Sequence, residues 1–229
     1  MVKLTIRGVK YEFPERITVD QWRRLLPFDY RDVNDWPKIL GCLLKEPPET
    51  FEKATLESMQ LAISFVIALM NQRVESKIND FHQMRFGEFV DLDIYTVEGI
   101  EKRLDEVLGI ICPVKPYMAD EALWSIDQFQ LFRTHIYRSY SGLFGLDEVK
   151  DFEDEDEDTP KWDAKRVAKG WYRIIVDLAN NDLLKIDQVT EQPLKQTLNF
   201  MALKKEKQLE ENFRLLQQKR EYDLSRNRK

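Results

Sequence analysis

Prolines cut this chain into short segments, and that punctuation constrains the fold more than any other feature. Pro14, Pro27, the Pro47-Pro48 pair, Pro113, Pro116 and Pro193 each fall where an apolar periodic run begins or ends. Proline inside a helix removes a backbone hydrogen bond and clashes with the preceding turn, so each one marks an element boundary. Between them the apolar residues recur mostly at helical spacing. Glycine is scarce, with 8 in 229 residues. That disfavours architectures made of tight β-turns and leaves no glycine-rich phosphate loop.

The opening, "VKLTIRGVKYEF", is the exception. Leu4, Ile6, Val9, Tyr11 and Phe13 alternate with polar residues around Arg7-Gly8, which predicts a β-hairpin with Pro14 ending its second strand. Thr18 with Gln21 three residues on makes a capping box for a short helix that Pro27 stops. A second short helix is expected over Pro37–Leu44. Thr55 is the expected cap of a long apolar helix over Leu56–Arg73. There the polar residues narrow to Glu57, Gln60 and Ser64, so that helix is expected at the centre of the core. "FGEFVDLDIY" reads as a short extended or turn segment. An amphipathic helix carrying Ile100, Leu104, Val107, Leu108 and Ile111 follows it. Further helices are expected from Asp120 to "SGLFG", over "WDAKRVAKGWYRIIVDLANND", over "LKIDQVTEQ", and from Pro193 onwards.

The expected fold is therefore mainly α: a multi-helix protein with a small N-terminal β-hairpin. The acidic run over residues 147–161 divides it into a hairpin-plus-helix lobe, 1–146, and a C-terminal helical lobe, 162–229. Like charges repel and bury little, so the run itself is expected to be a solvated loop.

Apolar residues are 43% of the chain, enough for a core, and the formal net charge is −6. An acidic balance argues against a general nucleic-acid binder. The most apolar run, Leu61–Met70, is ten residues long, against the roughly 20 a bilayer span needs. No membrane segment or signal peptide is expected. Cys42 and Cys112 both lie in apolar runs, which fits buried thiols in a reducing compartment.

Catalytic ingredients are sparse, and a non-enzymatic protein without cofactor or metal is expected. His82 and His135 have no partners at metal-ligand spacing. A Cys42–His82 nucleophilic pair is conceivable, but core packing is the ordinary state of such a cysteine. The acidic run fails as a calcium loop. Asp156 stands where an EF-hand needs glycine, and Trp162 where it needs the closing glutamate. Most tryptophans sit at helical spacing among apolar neighbours and belong to a core. Trp36 and Trp162 have polar neighbours and flanking prolines, and these two are candidate interface anchors.

The last segment carries the clearest functional signal. Leu194, Leu198 and Met201 form one stripe, widened by Phe200 and Leu203, and this part is expected to be buried. Beyond Lys204 the stripe thins to Leu209, Phe213 and Leu216, and residues 204–229 hold nine basic and five acidic residues. Such a helix is marginal in water by itself. Leu209, Phe213 and Leu216 are therefore candidate contacts for a partner helix, or for a coiled-coil pairing of two copies.

The stretch "GWYRIIVDLANNDLLKIDQVTEQPLKQTLNFMALKKEKQ" resembles the C-terminal part of small proteins encoded among the tail genes of contractile-tailed bacteriophages. That group includes tail assembly chaperones and baseplate-hub assembly proteins. Trp171-Tyr172, Leu178-Ala179 with Asp182, Pro193-Leu194, and Asn199-Phe200 before a Lys/Glu-rich helix carry the resemblance. "IRGVKYEFPERITVDQW" and "FGEFVDLDIY" are similar to the same group. The resemblance implies a non-enzymatic role in tail morphogenesis in the host cytoplasm. The implied partner is a tail protein, such as the tape-measure protein or a baseplate-hub component. The alternative it allows is a structural subunit retained in the virion. The acidic insert at residues 151–158 departs from the family's pattern.

Overall fold

The computed structural model describes residues 2–144 and 163–226. The acidic run 147–161 and Trp162 lie outside the described residues. Two antiparallel strands, β1 (Val2–Ile6) and β2 (Val9–Phe13), form the hairpin, closed by an Ile6–Val9 pair. Arg7 and Gly8 both take positive φ, 54° and 78°. This is the mirror-image turn whose twist matches that of paired strands. The alternation holds: Ile6 and Phe13 are buried on the face that also carries Tyr11.

Eleven α-helices follow among the described residues: α1 (Val19–Leu25), α2 (Trp36–Leu44), α3 (Glu49–Glu52), α4 (Leu56–Met70), α5 (Phe86–Glu98), α6 (Leu104–Ile111), α7 (Ala119–Ser139), α8 (Ser141–Phe144), α9 (Ala164–Leu178), α10 (Ile186–Thr190) and α11 (Leu194–Arg226). The chain is thus mainly α with an N-terminal hairpin. Local capping sets several boundaries. Thr18 Oγ1 accepts from the Gln21 N–H at 3.1 Å, and the Thr18 N–H donates to Gln21 Oε1 at 3.0 Å, completing the capping box of α1. Thr55 caps α4 and Asp163 caps α9. After α9, Asn180 and Asn181 both take positive φ, which asparagine tolerates better than most residues and which turns the chain.

Three expectations are corrected. Residues 86–98 are a full helix, α5, rather than an extended or turn segment. Its Phe86, Phe89, Val90 and Leu92 are buried at helical spacing, which overrides the β-leaning look of "FVDLDIY". Helix α4 is not enclosed: Leu56 in its first turn is 62% exposed, and Leu61, on the side away from Met59, Ala62, Ile63 and Val66, is 60% exposed. In α11, Leu194 and Leu198 are buried, but Phe200 and Leu203 are exposed, because they point to the opposite side of the helix.

The described chain groups into two compact units, each discontinuous in sequence: residues 1–79 with 99–130, and residues 80–98 with 131–229. The division therefore does not follow the acidic run. Helix α5 and the second half of α7 belong with α9 and α11, not with the hairpin.

In the first unit the hairpin lays Tyr11 against Phe51 and Phe13 edge-on against Phe65, with centroids 5.3 and 5.4 Å apart. Leu104, Val107, Leu108 and Ile111 of α6 are buried, as their spacing predicts. Arg16 grips buried Asp120 at the start of α7 with two bonds of 2.5 Å and reaches Glu121 at 2.6 Å.

In the second unit Trp171 of α9 sits among Phe86, Phe89 and Phe144, all at near-perpendicular ring angles. Gly87 lets α5 approach α10 closely. A Cβ there would stand 2.9 Å from the Thr190 Cβ, closer than carbon atoms pack. The N–H groups of Phe86 and Leu194 donate to the carbonyls of Gln192 and Met84, locking the start of α11 to the start of α5.

Candidate functional site

Helix α11 has 33 residues, which at 1.5 Å per residue makes it about 50 Å long. Its first turns are fixed: Leu194, Thr197 and Leu198 are buried, and Tyr140 donates to Asn199 Oδ1 at 2.7 Å. Lys204 pairs with Asp177 of α9 at 2.6 Å, and Lys205 donates to the Gly142 carbonyl. Beyond these contacts Leu209, Phe213, Leu215 and Leu216 are 59%, 63%, 54% and 58% exposed. At about 100° per residue, Leu198, Leu209, Phe213 and Leu216 fall within about 60° of one another. The stripe that anchors α11 thus continues along the same side, uncovered among the described residues. Leu209, Tyr140 and Leu143 line a groove of about 440 Å³.

The two tryptophans proposed as anchors fare differently. Trp36 is the first residue of α2 and is half-buried, with its indole N–H donating to the Tyr30 carbonyl at 2.8 Å. The indole is already engaged within its own unit. Trp162 lies outside the described residues.

Sequence reasoning missed the most polar buried feature of the second unit. Asp93 on α5 is fully buried. One carboxylate oxygen accepts from Arg133 Nε at 2.6 Å and the other from Trp171 Nε1 at 2.7 Å. Tyr137 Oη lies 2.9 Å from both. Burial, and then the Asp93 carboxylate beside it, push the Tyr137 hydroxyl well above the usual tyrosine range. A buried carboxylate with three donors is satisfied and fixed. It ties α5, α7 and α9 together.

That knot forms the floor of a cleft of about 910 Å³, the larger of the two cavities described here. Val97, Phe144, Val167 and Ile174 supply apolar walls. Five cationic side chains line it: Arg133 and Arg138 from α7, and Arg166, Lys169 and Arg173 from α9. Asp93 is the one carboxylate among the lining residues. Among the described residues Arg138, Lys169 and Arg173 form no ion pair. A concentration of positive charge in a chain of net charge −6 is a local property of this cleft.

The cysteine–histidine pairing is not assembled within either unit. Cys42 belongs to the first unit and His82 to the second. Burial raises the thiols of both Cys42 and Cys112 above their ordinary value, which weakens them as nucleophiles. Among the described residues no group of three or more His, Cys, Asp or Glu side chains is placed to hold a metal ion. Among the same residues, no helix is long and apolar enough to cross a membrane.

No family model matches this chain, and no curated protein or solved structure is similar to it.

Proposed function

We propose that the chain is a non-enzymatic morphogenesis protein of a contractile bacteriophage tail, which docks the distal half of α11 on a helical partner. The partner is a tail protein such as the tape-measure protein or a baseplate-hub component. The observation that carries this reading is the uncovered stripe Leu209, Phe213 and Leu216, continuous with the buried anchor Leu198. A lone helix of this composition gains little from water, whereas an apolar stripe laid in a partner's groove gains burial at low ordering cost. The mixed Lys/Arg/Glu flanks favour encounter with a charged helix. The tail assignment itself comes from the sequence resemblance of residues 170–208 and the hairpin opening.

The same stripe suits a subunit that stays in the particle, and two measurements divide the readings. Truncation after Leu203 keeps Leu194, Thr197 and Leu198, so the helical circular dichroism of the rest should persist while capture of the partner is lost. Capture at wild-type strength by the truncated chain would refute the docking role of α11. Quantitative mass spectrometry of particles against producing-cell lysate then separates a transient chaperone, abundant in lysate alone, from a subunit present at fixed copy number.

A further inference from the structure

We propose that the cleft walled by α5, α7, α8 and α9 binds an acidic peptide segment of a partner protein, one that carries an apolar side chain among its carboxylates. The proposal is independent of the docking role of α11. It stands on three features.

The first is charge. Arg166, Lys169 and Arg173 recur along one face of α9, and Arg138 faces the same cleft from α7. The single lining carboxylate, Asp93, is consumed by Arg133, Tyr137 and Trp171, and Arg138, Lys169 and Arg173 form no ion pair among the described residues. Guanidinium groups bind carboxylates with two parallel bonds, so an arginine-rich wall fits carboxylates in particular.

The second is shape. The α9 stripe from Arg166 to Arg173 covers about 10 Å along the helix. An extended peptide advances roughly 3.3 Å per residue and turns alternate side chains to opposite sides. Carboxylates on one side of such a strand can follow the stripe while the intervening side chain enters the cleft. Phe144 and Ile174, both half-buried, and Val97 provide the apolar surface that side chain would cover.

The third is the contrast with nucleic acid. A polyanion read by its phosphates needs a long basic track, and here the track is one short stripe on an acidic protein.

The chain's own stretch Asp151–Asp158, with Phe152 between Asp151 and Glu153, has the same composition. It is the internal competitor that the experiment must separate.

The test is fluorescence anisotropy of the full chain with a labelled peptide alternating glutamate and phenylalanine. Saturable binding is expected. It should weaken about tenfold or more in the double variant Arg138→Glu/Arg173→Glu. Gly170→Leu should weaken it similarly without a charge change, because a Cβ at Gly170 meets nothing within 4 Å and the side chain is free to fill the cleft. Circular dichroism should show both variants folded. A polyglutamate lacking phenylalanine should bind more weakly, and truncation after Leu203 should leave binding intact.

Oligothymidylate displacing the peptide as well as unlabelled peptide does would overturn the proposal in favour of nucleic acid. Binding seen solely after residues 151–158 are neutralised would replace the partner by the chain's own acidic stretch. No binding in either form would end it.

Discussion

Two buried aspartates show how the same group serves two purposes. Asp120, in the first unit, is 4% exposed and held by Arg16, which also takes Glu121. One cation serves two carboxylates, and the Glu121 N–H also donates to Asp120 Oδ1 at 2.8 Å. Asp93, in the second unit, is fully buried and held by Arg133, Tyr137 and Trp171. It lies under a cleft that holds four further cations. The first is a closed cross-link between the chain after the hairpin and the start of α7, where its negative charge also suits the helix N-terminus. The second is a fixed floor beneath a cleft lined by cations. A buried ion pair alone says little about function. Arg138, Lys169 and Arg173, without an ion pair among the described residues, are what separate a candidate site from a staple.

The comparison can be broken most forcefully at Asp93. Asp93→Ala leaves Arg133, Tyr137 and the Trp171 indole without their common acceptor. Urea unfolding should show a loss of about 3–5 kcal/mol, and a loss below about 1 kcal/mol would mean the knot is not what joins α5, α7 and α9. At the other aspartate, Arg16→Met strands Asp120 beside Glu121. Since the Arg16 side chain is itself partly exposed, the expected loss is smaller, about 2 kcal/mol. Adding Asp120→Leu should recover most of it, since an apolar pair of similar volume replaces a buried ion pair at little cost.

The finest test contrasts two tyrosines. Tyr137 gives its hydroxyl to Asp93, whereas the buried Tyr30 hydroxyl has no partner among the described residues. Tyr137→Phe should cost about 1 kcal/mol, and Tyr30→Phe should be neutral or mildly stabilising. The two should also register in alkali. Burial first, and then the Cys42 thiolate, push Tyr30 up to about 12, and Tyr137 is raised as well. The folded state therefore holds its phenolic protons at pH values where the unfolded chain has lost them. The associated stability is complete below about pH 10 and drains away as pH rises towards 12. Tyr30→Phe should flatten that decline in a pH series of unfolding midpoints. An unchanged slope would show that Tyr30 does not contribute to it.

What was legible in the sequence was local. The Arg7-Gly8 turn, the Thr18–Gln21 capping box, the Thr55 cap and the buried face of α6 each depend on residues a few positions apart. The Asp93 knot was not legible, because its partners lie 40, 44 and 78 residues away. The basic cleft was hidden for the same reason, since each of its two helices reads alone as an ordinary solvated face. Helix α5 was misread because Tyr95, Val90 and Ile94 give "FVDLDIY" a strand-like composition, while its contacts with α9 and α10 decide the outcome. Leu209, Phe213 and Leu216 were legible as a thinning stripe, and the exposure of Phe200 and Leu203 was not. Spacing places residues on a helix but does not say where the neighbouring helices stop.

The interleaving of the two compact units has a consequence for synthesis. A ribosome delivers the hairpin, α1 to α4, then α5, then α6 and the first half of α7, before returning to the remaining partners of α5. The first core lacks its last strip until Gln130 has emerged, and the second lacks Leu194 and Leu198 until residue 198 has followed. Until residue 171 has been made, Phe86 and Phe89 wait without Trp171. The nascent chain therefore carries the aromatic face of α5 without its native cover over about 80 residues of synthesis.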